Sequence, residues 1–432
     1  MTKVLGIDIG AKFVIAFCLE ELPVSMSYTD YYKKNAKLGL FKIRMDNNKN
    51  EDGTALNRAL ELLKKIKPNA IVMEPTGVWY SRLWADLAEH LGIEVKWIGH
   101  ADLSYRRGSY GFRDKDDRTD AFCLAVTYFD PVFNASNRWL NWRRGAVAEV
   151  NNLLLEINSL KTTTKILQQQ IRQRLKHEFP EVAGRYITNS RTKDGYTAWV
   201  GYIAGIHTFK QIRTERDKSI ATALGIEITQ YTRNHAMGIC TNQMRDTALS
   251  NDLMLSLLDP CFDKYRPTFE AFGFGSIMQA VILSQVYPFE KFLQGGKMQI
   301  DRYEDDRGKH KKNRSLAGFQ LSLGMGKRLI ESGGKSTLVY AGSALARKTL
   351  YTWTSQHVLP SKMSASWLVQ ELDRRALSGS AKALTVAELR RRWKSTKGTP
   401  KDRHMAGVRS TITLNYRITR LLFEELFKEN GF

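Results

Sequence analysis

Lys3-Val-Leu-Gly-Ile-Asp-Ile-Gly-Ala-Lys-Phe-Val-Ile-Ala-Phe-Cys-Leu19 is the stretch on which the reading of the fold turns. Two apolar runs, Lys3 to Gly10 and Phe13 to Leu19, are joined by Gly10-Ala-Lys12, so they read as adjacent strands with a tight turn. One residue is out of place. Asp8 lies mid-strand between Ile7 and Ile9, within G-x-D-x-G, where a carboxylate is costly to bury unless it is paired or bound to metal. The pattern alone leaves open a metal-site acid, a solvent-facing acid and a phosphate loop of the sugar-kinase type.

Outward from this hairpin, Leu38 to Met45 reads as a third strand. Asp52 to Lys65 has helical periodicity, with Asp52 as N-cap. Ala70 to Met73 is a short buried strand stopped at Pro75, which has no N–H to give the ladder. Trp79 to Leu91 is a helix with Gly92 as its C-cap, Val95 to Ile98 a strand, and Asp116 to Phe129 a helix. The order β-β-β-α-β-α-β-α predicts a mixed sheet flanked by helices.

Three further acids belong with Asp8. Glu74 falls at the carboxyl end of a strand, where open α/β sheets place their sites. Asp117 and Asp120 are three apart and share a helix face. Asp114 and Asp116 read as solvated surface charges. Four converging carboxylates suit magnesium, and two ions stabilise the entering and leaving oxygens of a phosphoryl displacement.

Beyond residue 140 the pattern changes. Val150, Leu153, Ile157, Leu160, Thr164, Leu167 and Ile171 form a heptad seam that Pro180 ends, with subunit pairing favoured over a hairpin within the chain. Residues 181 to 255 are mixed and polar. From Cys261 to Thr354 the chain reads as helical, with an exposed charged loop at 294–314. Trp367 to Leu377, Val386 to Trp393 and Tyr416 to Phe427 are helical stretches joined by basic links. Within Lys327 to Lys335 a helical run precedes Glu331-Ser332-Gly333-Gly334-Lys335. Arg328 and Lys335 suit phosphate charge, and the glycines allow close approach. On spacing alone this is a turn with Ser332 as a helix N-cap. Gly273-Phe-Gly275 before an apolar helix is half of a helix-hairpin-helix pattern, whose N–H groups can meet a phosphate.

Composition narrows the partners. The chain has 432 residues, 43% hydrophobic and 25% charged, an ordinary globular make-up. Lys and Arg total 66 against 44 Asp and Glu, a net +22, which points to a polyanion such as nucleic acid. No run reaches the roughly 18 apolar residues of a membrane span, so no membrane partner is expected. The N-terminal run is broken by Asp8 and Lys12, unlike a secretion signal. Cys18, Cys123, Cys240 and Cys261 form no C-x-x-C pair, so neither a zinc ribbon nor a disulfide framework is expected, and the inferred setting is a reducing cytoplasm.

These parts, in this order, resemble the DEDD-type transposases of bacterial insertion sequences, the family of bridge-RNA-guided serine recombinases (insertion-sequence one-ten type). The resemblance rests on GIDIGAK around Asp8, EPTGVWY from Glu74, KDDRTDAFCLA with Asp117 and Asp120, LSLGMGKRLIESGGK with Ser332, and FGFGSIMQAVILSQV followed by PFEKF. It covers roughly residues 1–130 and 261–354. It implies an α/β RNase H-like (RuvC-like) N-terminal domain, a coiled-coil helix and a mostly α-helical C-terminal transposase domain. The expected boundaries are 1–140 catalytic, 141–180 coiled coil, 181–260 accessory, 261–357 transposase and 358–432 a basic helical extension.

The resemblance also implies magnesium, two ions, on Asp8, Glu74, Asp117 and Asp120, and Ser332 as the nucleophile that joins DNA through a phosphoserine. Donor and target DNA, a structured guide RNA and a homo-oligomer, dimer or tetramer, are the implied partners, in the bacterial cytoplasm at the nucleoid. Arg328, Lys335, Gly333, Gly334, Gly273, Gly275 and Arg347 are the expected nucleic-acid contacts. The sequence departs from the family where a basic stretch usually follows the serine: here it reads Tyr340-Ala-Gly-Ser343 and then Ala346-Arg347. The alternatives are a RuvC-like junction nuclease or DNA invertase acting without RNA, a sugar-kinase-like ATPase, which lacks its second acidic phosphate loop here, and a non-catalytic nucleic-acid-binding derivative.

Overall fold

The computed structural model describes residues 2–23, 26–45, 54–75, 78–135, 139–140, 143–185, 187, 191–305, 308–332, 335–360, 366–378, 383–395 and 398–432. At 78–79, 135, 305, 328–332 and 335–338 it describes the backbone alone. Two compact units divide the chain, Met1–Trp142 and Arg143–Phe432.

The first unit is built on β1 (Val4–Ile9) and β2 (Phe13–Leu19), the predicted hairpin. There follow α1 (Tyr28–Gly39), β3 (Leu40–Arg44), α2 (Ala55–Ile66), β4 (Ala70–Met73), α3 (Val78–His90), β5 (Glu94–Trp97), α4 (His100–Ser109), α5 (Asp117–Phe129) and α6 (Pro131–Ala135). The five strands run in the order β3-β2-β1-β4-β5. β1–β2 and β2–β3 are antiparallel, β1–β4 and β4–β5 parallel. Strand alternation sorts the core into two layers. Leu5, Ile7, Ile9, Ile71 and Met73 pack with α2 and α3. Val4, Ile15, Phe17 and Val72 pack with α4 and α5.

Three helices were absent from the expected order: α1, α4 and the short α6. α1 takes Leu38, placed above in a strand. Ser27 caps it by accepting from the Asp30 N–H, and its Tyr31 and Tyr32 meet Phe122. α4 lies in a polar, glycine-punctuated stretch with a weak apolar stripe. The N-cap of α2 is Thr54, whose hydroxyl accepts from Asn57; Asp52 lies outside the described residues. Gly92 does follow α3 with φ +70, the left-handed conformation a helix-ending glycine supplies.

The second unit begins with the 33-residue α7 (Ala146–Glu178). Then come α8 (Pro180–Ala183), α9 (Ala198–Ala204), α10 (Lys210–Asp217), α11 (Ile220–Ala223), α12 (Gln230–Ser256), α13 (Arg266–Phe272), α14 (Ser276–Val286), β6 (Ile300–Asp305), β7 (Gly308–Asn313), α15 (Arg314–Ser322), β8 (Gly326–Ser332), β9 (Lys335–Ala341), α16 (Ala344–Trp353), α17 (Trp367–Ser378), α18 (Val386–Trp393) and α19 (Pro400–Glu429).

The seam of α7 is satisfied within the chain. Val147, Val150, Leu154 and Ile157 share a core with Leu253 and Leu257 of α12 and the segment after it. Ile171 and Leu175 share another with Ala236, Ile239 and Cys240. The two helices therefore run antiparallel as a hairpin, which corrects the expectation that this seam pairs subunits. The register differs too: Leu154 is buried while Leu153, Leu160 and Leu167 are half-buried.

Two β-hairpins correct the helical reading of 261–354. The expected loop at 294–314 contains β6 and β7, paired antiparallel from Ile300–Asn313 to Asp305–Gly308. Its polar residues give no apolar alternation, which hid the strands. Residues 326–332 form β8, not a helix, paired with β9 from Gly326–Ala341 to Ser332–Lys335. The C-terminal α19 is a core element: Leu414, Ile418, Leu422 and Phe423 lie in one cluster with Phe289, Phe319 and Leu350.

Candidate catalytic site

The register of the sheet brings the first two acids together. Ile7 of β1 lies opposite Met73 of β4 in a parallel pair, so Asp8 and Glu74 are the next residues along at the carboxyl edge. Asp8 points to the α5 side of the sheet, two residues on from Gly6. Glycine at 6 is what lets α5 come down onto the strand. A Cβ there would sit 2.1 Å from the Ala121 carbonyl oxygen and 2.5 Å from the Ala125 nitrogen. That contact holds the first turn of α5, with Asp117 and Asp120, near Asp8.

The electrostatics follow from this crowding. The Asp8 carboxyl is pushed up to about 7, first by burial, then by the charges of Asp117, Glu74 and Asp120, with Lys115 opposing. Burial also raises Asp120, against the hydrogen bonds and charge of Arg107. Asp120 is 2% exposed, and Arg107 Nη1 donates to both its oxygens at 2.6 and 2.7 Å. His100 Nδ1 lies 2.7 Å from Glu74 Oε2. Asp117 is exposed, as are Asp114 and Asp116. Among the described residues no three His, Cys, Asp or Glu side chains stand at metal-ligand spacing. The four acids share one electrostatic site, with Arg107 and His100 holding two of them.

The donor set nevertheless suits a hard cation. Oxygen ligands predominate, and a carboxyl whose ionisation is suppressed by burial and then by three like charges gains from a divalent ion beside it. His100, Arg107 and Lys115 escaped the sequence reading. His100 opens the helix directly after β5, at the same sheet edge as Asp8 and Glu74, and that position was the available signal.

The serine element lies in the second unit. Ser332 is the last residue of β8, and its strand partner is Lys335. Gly333 and Gly334 between them lie outside the described residues, as do the side chains of Arg328, Ser332 and Lys335. The base of the hairpin is locked. Gly342 has φ +86, and a Cβ there would lie 1.7 Å from the Leu321 carbonyl oxygen. Arg347 Nη1 donates to the Gly324 carbonyl at 3.0 Å, and the guanidinium sits over the Tyr340 ring. It braces the hairpin. Gly273 (φ +67) ends α13 and Gly275 caps α14 without a side-chain bond. Phe274 between them is buried against Trp353.

No family model matches the chain, and no curated protein matches it. Among solved structures it is similar to Thermus thermophilus RuvC, at 16% identity over 31% of this chain and 95% of that one, with a TM-score of 0.23. It is also similar to T. thermophilus RuvC in complex with Holliday junction substrate, at 17% identity over 32% and 96%, with a TM-score of 0.22. Among the described residues no helix is long and apolar enough to cross a membrane.

Proposed function

We propose that this chain is a metal-dependent DNA-cleaving enzyme, a recombinase of the insertion-sequence transposase class. One observation carries the reading: Asp8, Glu74, Asp117 and Asp120 form a mutually repelling carboxylate set at the carboxyl edge of the sheet, inside a chain of net charge +22. A carboxyl such as Asp8, whose ionisation is suppressed by burial and by neighbouring acids, is unfavourable for stability and useful for holding a cation at a phosphate. Magnesium on these four acids would supply charge stabilisation at the phosphate oxygens. Arg107 sets a positive charge beside Asp120, and His100 stands at hydrogen-bond distance from Glu74.

Ser332 is the proposed nucleophile. Its hydroxyl oxygen attacks a DNA phosphorus, a serine–phosphate ester forms, the phosphorus–O3′ bond breaks, and the 3′ oxygen leaves with a proton as a free hydroxyl. The sequence Ser332-Gly333-Gly334-Lys335 suits this role because small residues let a backbone phosphate approach closely. A structured guide RNA that selects donor and target DNA, and a homo-oligomer in the cytoplasm, complete the proposal.

The test is covalent trapping. Purified protein with its co-purifying RNA is incubated with magnesium and element-junction DNA, then run on a denaturing gel beside Ser332→Ala and Asp8→Ala. The expected result is a protein–DNA band in the wild type and in neither variant. Cleaved DNA without a band, unaffected by Ser332→Ala, would instead mean a junction nuclease that needs only the acids.

A further inference from the structure

The basic C-terminal segment has an internal charge imbalance that the active-site reading does not use. Between Ser366 and Arg409 there are four carboxylates: Glu371, Asp373, Glu388 and Asp402. Each is engaged inside the protein. Glu371 pairs with Arg374 and Arg375. Asp373 accepts from the Val386 N–H at the start of α18. Glu388 and Asp402 close the capping boxes of α18 and α19 with Thr385 and Thr399.

The cations are arranged differently. Of three consecutive arginines ending α18, Arg390 turns inward and donates to the Val358 carbonyl at 3.0 and 2.8 Å. Arg391, Arg392 and Lys394 are exposed, as are Lys401, His404 and Arg409 of α19. Among the described residues none of the five Arg and Lys side chains in this exposed group has an ion pair at contact distance; Arg391 and Arg392 act on Glu388, three and four residues earlier, through charge alone.

Fold stability accounts for half of this pattern. Cations at the end of α18 complement its helix dipole. At the start of α19 the dipole disfavours them, yet Lys401 stands in the first turn. Lys401 and Arg409 are eight residues apart, about 12 Å along the axis and roughly 80° apart around it. Neither has an acid three or four residues away in the C-terminal direction to pair with. Membrane insertion would need a broad apolar face, and Met405 is the sole exposed large hydrophobic described between Arg391 and Arg409. Single-stranded nucleic acid would need exposed aromatic platforms; Trp393, the aromatic residue here, is half-buried and packs near Gly407.

We infer that the corner of α18 and α19 is a docking surface for the phosphate backbone of duplex DNA, read without sequence preference. The inference rests on the proposal that DNA is the substrate. It adds that the second unit grips the duplex.

The experiment is equilibrium binding by fluorescence anisotropy, without divalent metal, across a range of KCl concentrations. The probes are two unrelated duplex DNAs and a stem-loop RNA. The variant combines Arg391→Gln, Arg392→Gln, Lys394→Gln and Lys401→Gln. The control combines Lys33→Gln, Lys34→Gln, Lys37→Gln and Lys64→Gln, which remove the same charge from exposed positions of the first unit. The slope of log affinity against log salt is expected to fall by about 3 to 4 in the variant, equally for both duplexes, since each lost phosphate contact removes roughly 0.9. The control is expected to keep its slope; the variant's thermal midpoint is expected to fall slightly, because cations at the end of α18 complement its dipole, with both proteins still unfolding cooperatively. An unchanged slope in the variant, an equal loss in the control, or a loss confined to the RNA overturns the surface. Failure of the wild type to bind either duplex overturns the DNA reading itself.

Discussion

At the scale of single residues, Asp8 is where function opposes stability. Its folded pKa, about 7, stands above the ordinary carboxyl value of 3.8. A carboxyl raised in the folded state favours folding below its unfolded pKa, and that contribution is lost as pH rises towards the folded value. Asp8→Asn is therefore expected to melt higher than the wild type above pH 7 in metal-free buffer, with the gap closing as pH falls to about 4. Magnesium should raise the wild-type midpoint and leave the variant nearly unmoved. A scan of melting temperature against pH, with and without magnesium, checks both signs. Asp8 and Glu74 were legible because strand ends and a misplaced carboxylate are visible in sequence. Asp117 and Asp120 were legible because three-residue spacing defines a helix face. His100 and Arg107 were not, because their helix has a weak apolar pattern and their roles depend on contacts across 26 and 13 residues.

At the scale of elements, the decisive contact is a helix lying on a strand. Gly6→Ala places a methyl group where Ala121 and Ala125 backbone atoms already stand. Helix α5 must move off the sheet and carry Asp117 and Asp120 with it. The expected cost is about 1 to 3 kcal/mol, as for other overpacked cores, together with a weaker magnesium-induced rise in melting temperature. Gly108→Ala in α4 is the control, because a Cβ there meets nothing within 4 Å; it should be neutral or slightly stabilising. Thermal denaturation of the two variants separates a packing effect from a general effect of adding a methyl. The elements read best from sequence were those with one clear period, such as β1, β2, β4 and α5. The hairpins β6–β7 and β8–β9 were missed for opposite reasons. β6–β7 is polar on both faces. In β8, Lys327, Arg328, Leu329 and Ile330 place two cations and then two apolar residues in a row, so the sequence shows no two-residue alternation.

At the scale of the molecule, the pairing of α7 with α12 moves the candidate subunit contact to a different face. With the α7 seam turned inward, α12 presents Met237, Thr241, Met244, Ala248 and Asn251 outward, and Leu255 and Leu258 continue the series at the helix end, at alternating spacings of four and three. All seven are exposed, Leu255 at 67% and Leu258 at 62%. A heptad series free of charge along its whole length is unusual on a solvated surface and fits a second copy of the same helix. Self-pairing through a two-fold axis would set the same residues against one another, with Asn251 as the seam's amide and Thr241 as its other polar position. Met244→Glu with Leu255→Glu places four charges in that seam per dimer. Sedimentation should then show a monomer where the wild type shows a dimer, while the melting temperature of the fold stays close to wild type because neither side chain belongs to its core. A wild type that sediments as a monomer at all concentrations would remove this face from the assembly and with it the support α12 lends to a homo-oligomeric recombinase.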